Sequence, residues 1–191
     1  MNLTILRPCG TLILLFLVFT CAPVVVHAAA TNSASPSGTK NVVTKKDTCS
    51  EAIVNIIGKG ISGGARFLKE AKSVHVNIAV SGLADNQEFI FHIHESAVGK
   101  DNDCSTTGGH YDTVKPVRDL CAGKNPMNCQ VGDLSGKSKP LYNRECGVAS
   151  LSFYDPVINV SDLQEKSVVI HAPGTLEKIA CGTIICKRKY D

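Results

Sequence analysis

The feature that most constrains the fold is a two-residue alternation of apolar with polar or small side chains, which recurs along much of the chain. It is clearest between Ser73 and Val80, where Val74, Val76, Ile78 and Val80 alternate with Ser, His, Asn and Ala. Because successive side chains of a β-strand point to opposite faces, the pattern predicts a strand with one buried face.

Similar short runs are spread over the rest of the sequence. Candidate strands lie at 51–57, 65–68, 89–95, 147–153, 166–171 and 179–186. Turns separate them, and no convincing amphipathic helix accompanies them. Several short strands separated by turns predict an all-β sandwich or barrel.

The amino-terminal residues have the layout of a secretory signal peptide. Arg7 precedes an apolar run over residues 11–19, and small residues follow up to position 30. The apolar core is short and interrupted, which argues against a membrane anchor. We therefore expect a signal peptide over residues 1–30, a flexible leader over 31–48 and one folded domain over 49–191 that is secreted and not membrane-bound.

Charge and cysteine content narrow the possible functions of the mature chain. Removing the signal leaves nineteen Lys and Arg against seventeen Asp and Glu, a net charge of +2. This balance gives no support for nucleic-acid or membrane binding. Seven of the nine cysteines remain, so in an oxidising compartment we expect up to three disulfides and one cysteine left over.

The run Phe-Ile-Phe-His-Ile-His-Glu over residues 89–95 places His92 and His94 two positions apart. On a strand the two rings project from one face, which would form half of a metal site. The alternative is a pair of histidines on a solvated face, and this stretch alone does not separate the two. His75, on the polar side of its strand, is interpreted as an ordinary surface histidine because no other candidate ligand accompanies it.

Two further histidines lie where a site could include them. His110 follows two glycines inside a long irregular region, residues 95–143, and His171 ends the apolar run at 167–170. Irregular regions of this size usually carry a function or are pinned by a disulfide. Four imidazoles favour a metal that prefers nitrogen ligands, and planar nitrogen coordination favours Cu(II).

Several motifs occur in a fixed order between residues 51 and 185. They are Phe91-His92-Ile93-His94-Glu95, Cys104 followed by Gly109-His110, Val131-Gly132-Asp133-Leu134, Gly147-Val148-Ala149, Val168-Val169-Ile170-His171 and Ala180-Cys181-Gly182-Thr183-Ile184. Together they resemble the copper/zinc superoxide dismutase family. The resemblance implies an eight-stranded Greek-key β-barrel and an enzyme that converts superoxide to oxygen and hydrogen peroxide.

The resemblance also implies roles for individual residues. The copper ligands of the family match His92, His94 and His171, and its metal-bridging histidine, which also supplies a proton, matches His110. The family's intrachain disulfide matches Cys104 and Cys181. Lys178 stands where the family has an active-site arginine; it would keep the positive charge that attracts an anion, and the alternative is a solvated lysine without a role.

The chain departs from the family at the zinc site. No histidine lies between Tyr111 and Gln130, and Gln130 stands where one would be expected. Asp133 matches the zinc-binding aspartate, but Asp133 and His110 alone cannot complete a tetrahedral zinc site. Only nine residues separate His171 from Cys181, too few for the charged loop that covers copper in the family.

The sequence is therefore similar to the secreted, copper-only branch of this family, and we expect copper as cofactor and no zinc. Metal-bound histidines usually donate their second ring N–H to a carboxylate or carbonyl group. Asp133 is the candidate to orient His110, with Gln130 as a competing or helping partner. The alternative is that Asp133 only caps a turn beside Gly132.

The remaining expectations concern disulfides, modification and assembly. A second disulfide is expected between Cys49 and Cys186, because the first and last strands are neighbours in this fold. The pairing of Cys121, Cys129 and Cys146 stays open. Asn159 begins an Asn-Val-Ser glycosylation acceptor, and we expect a monomer or weak homodimer.

Two alternatives to a superoxide dismutase remain. One is a secreted module that binds or carries copper without turnover. The other is a β-sandwich interaction domain in which the histidines are incidental. The complete set of four histidines at the copper positions disfavours the interaction domain. Sequence alone does not exclude the carrier, because binding and turnover use the same ligands.

Overall fold

A computed structural model of the protein describes residues 49–115, 117–121, 123, 125–144 and 147–187. The predicted signal peptide, the leader and Cys146 lie outside these residues. The described strands are β1 (Glu51–Gly58), β2 (Ile61–Glu70), β3 (Ser73–Ser81), β4 (Gln87–Phe89), β5 (Phe91–His94), β6 (Leu141–Asn143), β7 (Val148–Asp155), β8 (Ser167–His171) and β9 (Lys178–Lys187). Short helices occur at Leu134–Lys137, named α1, and as 3₁₀ turns at Lys100–Asn102, Cys104–Thr107, Pro126–Asn128 and Val160–Asp162.

Seven strands form one antiparallel sheet in the order β5-β8-β9-β1-β2-β3-β7, and β4 pairs with β6 in a two-stranded ribbon. The described residues therefore contain nine strands, of which β4 and β5 are separated only by Ile90, against the eight that the family resemblance implies. The prediction of an all-β fold is confirmed. Within the described residues, no helix has the length and apolar character needed to cross a membrane.

The alternation that predicts the strands also sorts their side chains between core and surface. In β1, Ala52, Val54 and Ile56 are buried, whereas Ile53 and Ile57 are exposed. The strand β5 behaves differently, because every one of its residues is buried. His92 and His94 are each only 2% exposed, so the alternative of a solvated histidine face is wrong.

The second strand is longer than its sequence predicts. Gly63 and Gly64 lie inside β2 and do not precede it. A Cβ at Gly63 would lie 2.3 Å from the carbonyl oxygen of Ala79 on β3. Glycine is therefore used here for a close backbone approach between strands and does not mark a strand end.

A buried ion pair ties α1 to the sheet. The Lys137 ammonium lies 2.5 Å from a carboxylate oxygen of Asp155 at the end of β7, and both side chains are almost fully buried. The same ammonium donates to the Val131 carbonyl at 2.6 Å. Burial lowers the pKa of Lys137, and the Asp155 charge opposes that shift. These contacts fix the helix that follows Asp133, a residue of the site described below.

Three disulfides occur among the described residues. Cys49 before β1 is joined to Cys186 on β9, and these two strands are hydrogen-bonded neighbours. A second bridge joins Cys104 to Cys181 across 77 positions. The third joins Cys121 to Cys129 inside the long irregular region. The first two bridges join the pairs that the sequence analysis expects, and the third joins two of the cysteines whose pairing the sequence does not determine.

Candidate metal centre

The structure brings together His92, His94, His110 and His171. One ring nitrogen of each lies within 4.8 Å of the corresponding nitrogen of every other. His92 and His94 come from β5, and His171 ends β8, which is paired with β5. His171 is 2% exposed, and His110 is partly exposed at the edge of the cluster. Two adjacent strands therefore supply three of the four imidazoles.

His110 reaches the cluster through main-chain hydrogen bonds from the irregular region to β5. Tyr111 N donates to the Ile93 carbonyl at 2.9 Å, and Ile93 N donates to the Gly132 carbonyl at 2.8 Å. A Cβ at Gly132 would lie 2.3 Å from the Ile93 carbonyl oxygen, so glycine is needed for this approach. The irregular region thus extends the sheet locally and places His110 beside His94.

Main-chain carbonyls orient two of the rings. The Nδ1 atom of His94 lies 2.9 Å from the Gly108 carbonyl oxygen, and Nδ1 of His171 lies 2.9 Å from the Leu176 carbonyl oxygen. A carbonyl only accepts, so both Nδ1 atoms carry the proton and donate. The Nε2 atom of each ring is then left unprotonated, and both Nε2 atoms are buried without a hydrogen-bond partner among the described residues.

The other two rings are oriented by side chains. Nε2 of His92 lies 3.5 Å from Asp133 Oδ1, while its Nδ1 is buried and unpartnered. Nδ1 of His110 lies 2.9 Å from Gln130 Oε1. The Gln130 amide nitrogen donates to the Arg118 carbonyl at 2.6 Å, which fixes Oε1 as the acceptor for His110.

The expected partnership of Asp133 with His110 is therefore replaced by one between Gln130 and His110. The Asp133 carboxylate contacts His92 instead and also accepts from Gly136 N, which caps α1. Asp133 thus combines two roles that the sequence presented as alternatives: it caps a turn and it orients a ring.

These nitrogens fit a bound metal such as copper. A buried imidazole nitrogen without a hydrogen-bond partner costs free energy, on the order of 1–3 kcal/mol. Three such atoms converge here: Nδ1 of His92, Nε2 of His94 and Nε2 of His171. A metal that accepts their electron pairs would remove this penalty, and imidazole suits copper.

Burial within the cluster lowers the pKa of three of the rings and so favours their neutral form. Burial lowers the pKa of His94 to about 3 and that of His171 to about 4, although a carbonyl hydrogen bond opposes each shift. Burial also lowers the pKa of His110, and the nearby His92 adds to this effect. Metal ligation requires neutral imidazole, so the site is ready to bind metal near neutral pH.

These shifts predict that the metal-free protein loses stability between about pH 6.5 and pH 4. In this range the unfolded chain takes up protons at His94 and His171, while the native protein does not. The free energy of unfolding therefore falls as pH falls, by at most about 1.4 kcal/mol per pH unit for each of the two histidines. Urea denaturation of metal-free protein at pH 7 and pH 4.5 measures this, and equal midpoints would contradict it. A His94→Gln variant should show a smaller decrease.

Lys178 lies against the loop that carries His110. Its ammonium donates to Thr107 Oγ1 and to the Gly108 carbonyl, both at 2.9 Å. The Gly108 carbonyl thus accepts from both Lys178 and His94. Burial lowers the pKa of Lys178. These two contacts leave a third N–H of the ammonium for another acceptor.

The side chains that could have added zinc ligands are engaged elsewhere. The Asp112 carboxylate forms an ion pair with the Arg118 guanidinium, and Cys121 and Cys129 are joined in a disulfide. Among the residues that the structure describes, the four histidines form the one cluster of metal-ligating side chains.

Sequence reasoning missed several groups that shape the site. They are the Gly108 and Leu176 carbonyls, the Asp112–Arg118 ion pair and the Cys121–Cys129 bridge. Main-chain carbonyls carry no residue-specific signal, and an ion pair between loop residues depends on the path of the loop. The sequence signal that could have suggested the bridge was the short spacing of the two cysteines.

Fold and site together define a β-barrel metalloprotein whose metal would be held by imidazoles. The family model for copper/zinc superoxide dismutase matches residues 61–184, about two thirds of the chain. The chain belongs to the copper/zinc superoxide dismutase family.

Individual relatives agree with this assignment. The chain is 40% identical over 124 residues to cell surface superoxide dismutase [Cu-Zn] 6 of Candida albicans, a match that covers 61% of this chain and 37% of that protein. It is 28% identical to a superoxide dismutase [Cu-Zn] of Paramecium bursaria Chlorella virus 1, over 87% of this chain and 80% of the viral protein. The match thus spans little more than a third of the Candida relative.

Solved structures show the same fold. Superoxide dismutase 5 of Candida albicans with Cu(II) superposes with a TM-score of 0.64 at 22% identity, covering 75% of this chain and 96% of that one. The clock protein EA4 superposes with a TM-score of 0.61 at 24% identity, covering 73% and 96%. The predicted barrel of the copper/zinc superoxide dismutase type is confirmed.

Proposed function

We propose that the protein is a secreted superoxide dismutase that uses a single copper ion and no zinc. The observation that carries the proposal is the convergence of unpartnered histidine nitrogens in a buried cluster of four imidazoles. Membership of the family supplies the reaction, in which two superoxide anions and two protons give oxygen and hydrogen peroxide.

In this proposal His92, His94, His110 and His171 hold the copper. Copper would supply one-electron oxidation and reduction of superoxide. The protein holds three of the rings on paired strands. Hydrogen bonds to the Gly108 and Leu176 carbonyls and the contact of His92 with the Asp133 carboxylate fix their orientation. Rigid placement on strands suits a site whose geometry must persist while electrons move.

His110 is the proposed proton source. It is the most exposed of the four rings and the one carried by a loop. Its Nδ1 keeps a proton that is donated to Gln130 Oε1, so Nε2 is the one free ring nitrogen. Nε2 would either bind copper or, when it does not, hold the proton that is passed to reduced substrate. Gln130 would keep the ring aligned during this transfer.

Lys178 is proposed to draw the superoxide anion toward the site. Its ammonium is fixed near His94 by the shared Gly108 carbonyl. A positive charge beside a small anionic substrate raises the association rate, and salt screens this effect. A Lys178→Arg variant should retain the steering, whereas Lys178→Gln should react more slowly and with weaker dependence on ionic strength.

The absence of zinc follows in this proposal from the ligands. A structural zinc site uses four ligands in a closed tetrahedron. Near the expected position His110 contacts Gln130, Asp133 contacts His92, and Asp112 is paired with Arg118. Zinc would have to break these contacts to bind.

Secretion is supported by the three disulfides and by the similarity to a cell surface enzyme. The mass of the secreted chain would show whether cleavage occurs near Ala30 and whether Asn159, which is exposed, carries a glycan. Sedimentation analysis of that material would test the expected monomer or weak homodimer.

The proposal predicts about one copper per chain, no stoichiometric zinc and rapid removal of superoxide after equilibration with both metals. Elemental analysis and a superoxide assay on the mature protein measure these quantities. The Cu(II) spectrum should report nitrogen ligands. Tightly held zinc beside copper would refute the copper-only assignment. Fully copper-loaded protein no more active than buffer would instead establish the copper carrier.

A further inference from the structure

The side chains that orient His110 and His92 are both anchored to one short piece of main chain. Gln130, the partner of His110, donates to the Arg118 carbonyl at 2.6 Å. Asp133, the partner of His92, accepts from Cys121 N at 2.7 Å. The two anchoring groups are only three residues apart, so a shift of this segment would move both partners together.

An ion pair holds the first anchor. The Asp112 side chain is fully buried and accepts from Arg118 N at 2.8 Å as well as from its guanidinium group. The guanidinium also donates to the Met127 carbonyl at 3.0 Å. Arg118 is therefore fixed at both its backbone and its side chain. The contacts use the planar fork of arginine, which lysine lacks.

The disulfide holds the second anchor. Cys121 is joined to Cys129, and both residues are fully buried. Cys129 directly precedes Gln130, and Gln130 N donates to the Asp119 carbonyl at 3.1 Å. The bridge thus connects Cys121, whose N–H binds Asp133, to Cys129, which is the neighbour of Gln130, the partner of His110.

We propose that the Cys121–Cys129 disulfide and the Asp112–Arg118 ion pair act together as a positioning device for His110 and His92. We call residues 112–131 the orienting loop. The proposal rests on the copper site proposed above and extends it from the ring partners to the loop that sets them. In a chain without a full set of zinc ligands, covalent and ionic contacts take over the ordering of this segment.

The three bridges should differ in what they control. Cys121–Cys129 spans 8 positions, whereas Cys104–Cys181 and Cys49–Cys186 span 77 and 137. A bridge that closes a short loop constrains mainly that loop, whereas long-range bridges restrict the whole unfolded chain. Loss of the short bridge should therefore change the orientation of the His92 and His110 rings, while it lowers the stability of the whole chain less than loss of a long-range bridge does.

The test uses two orienting-loop variants: a double variant that carries both Cys121→Ser and Cys129→Ser, and the single variant Arg118→Lys. The control is a double variant that carries both Cys49→Ser and Cys186→Ser. At full copper loading, both orienting-loop variants should show an altered Cu(II) electron paramagnetic resonance spectrum and roughly tenfold slower superoxide removal. The control should keep the native spectrum and turnover per copper, although its melting temperature falls.

A second readout does not need copper. In metal-free native protein the Nδ1 proton of His110 is hydrogen-bonded to Gln130 and should give a slowly exchanging NMR signal; this signal should be lost or exchange faster in the loop variants and persist in the control. If both loop variants gave the same spectra as the unmutated protein, the proposed positioning device would be refuted, whether or not the unmutated copper protein is active.

If the unmutated copper protein lacked turnover but the loop variants showed the spectral changes, only the proposed function would be refuted. Arg118→Lys keeps the disulfide, so it remains informative if the cysteine variant does not fold.

Discussion

Replacing His171 or His92 with alanine is expected to abolish stoichiometric copper binding and to lower superoxide removal by ~100-fold or more. Each ring supplies one of the converging unpartnered nitrogens, and each is buried. Water entering the cavity would replace a fixed imidazole with a weaker and mobile ligand. Copper content by elemental analysis and the rate of superoxide removal measure the two effects.

His75→Ala is the matched control for these variants. His75 lies on β3, stacked on Tyr154 and hydrogen-bonded to Ser152, outside the cluster. Its replacement should leave copper content and turnover unchanged. If His171→Ala retained one tightly bound copper and native turnover, the assignment of the site would be wrong.

Removing the bridge between Cys104 and Cys181 with a double serine variant is expected to lower stability and copper affinity together. The bridge closes 77 positions, for which chain entropy gives roughly 4 kcal/mol of stabilisation. Cys104 begins the 3₁₀ turn that leads to Gly108 and His110, so its release would also loosen that approach. Urea denaturation of metal-free protein and copper titration measure the two quantities.

The Cys49–Cys186 double serine variant separates the two effects. This bridge also closes a long stretch of chain, 137 positions, but it joins the ends of β1 and β9. Removing this bridge should therefore lower stability to a similar extent, with little change in copper affinity. If the unmutated protein and the Cys104/Cys181 double serine variant bound copper equally well, the proposed link between the Cys104–Cys181 bridge and the metal site would be wrong. Peptide mapping under non-reducing conditions verifies the pairing itself.

The sequence by itself determined most of the strands, although β6 lies inside the region 95–143 that was predicted to be irregular, and β2 begins four residues before its predicted start. Alternation in β1 and β3 separates core from surface because the strand period is two, a property of the backbone that needs no tertiary context. The same period placed His92 and His94 on one side of β5. The ordered motifs carried the family resemblance, and with it the four histidines that the structure brings together.

Only the tertiary structure decided which group orients each ring. Gln130 and Asp133 lie three residues apart and both reach the cluster, so their partners depend on angles set by the orienting loop. The Gly108 and Leu176 carbonyls are equally invisible in sequence, because every residue has a carbonyl. Both faces of β5 are buried because the irregular region covers it, and the pairing of Cys121 with Cys129 depends on the path of that region. These features arise from contacts between segments distant in sequence, which a local pattern of residue types does not encode.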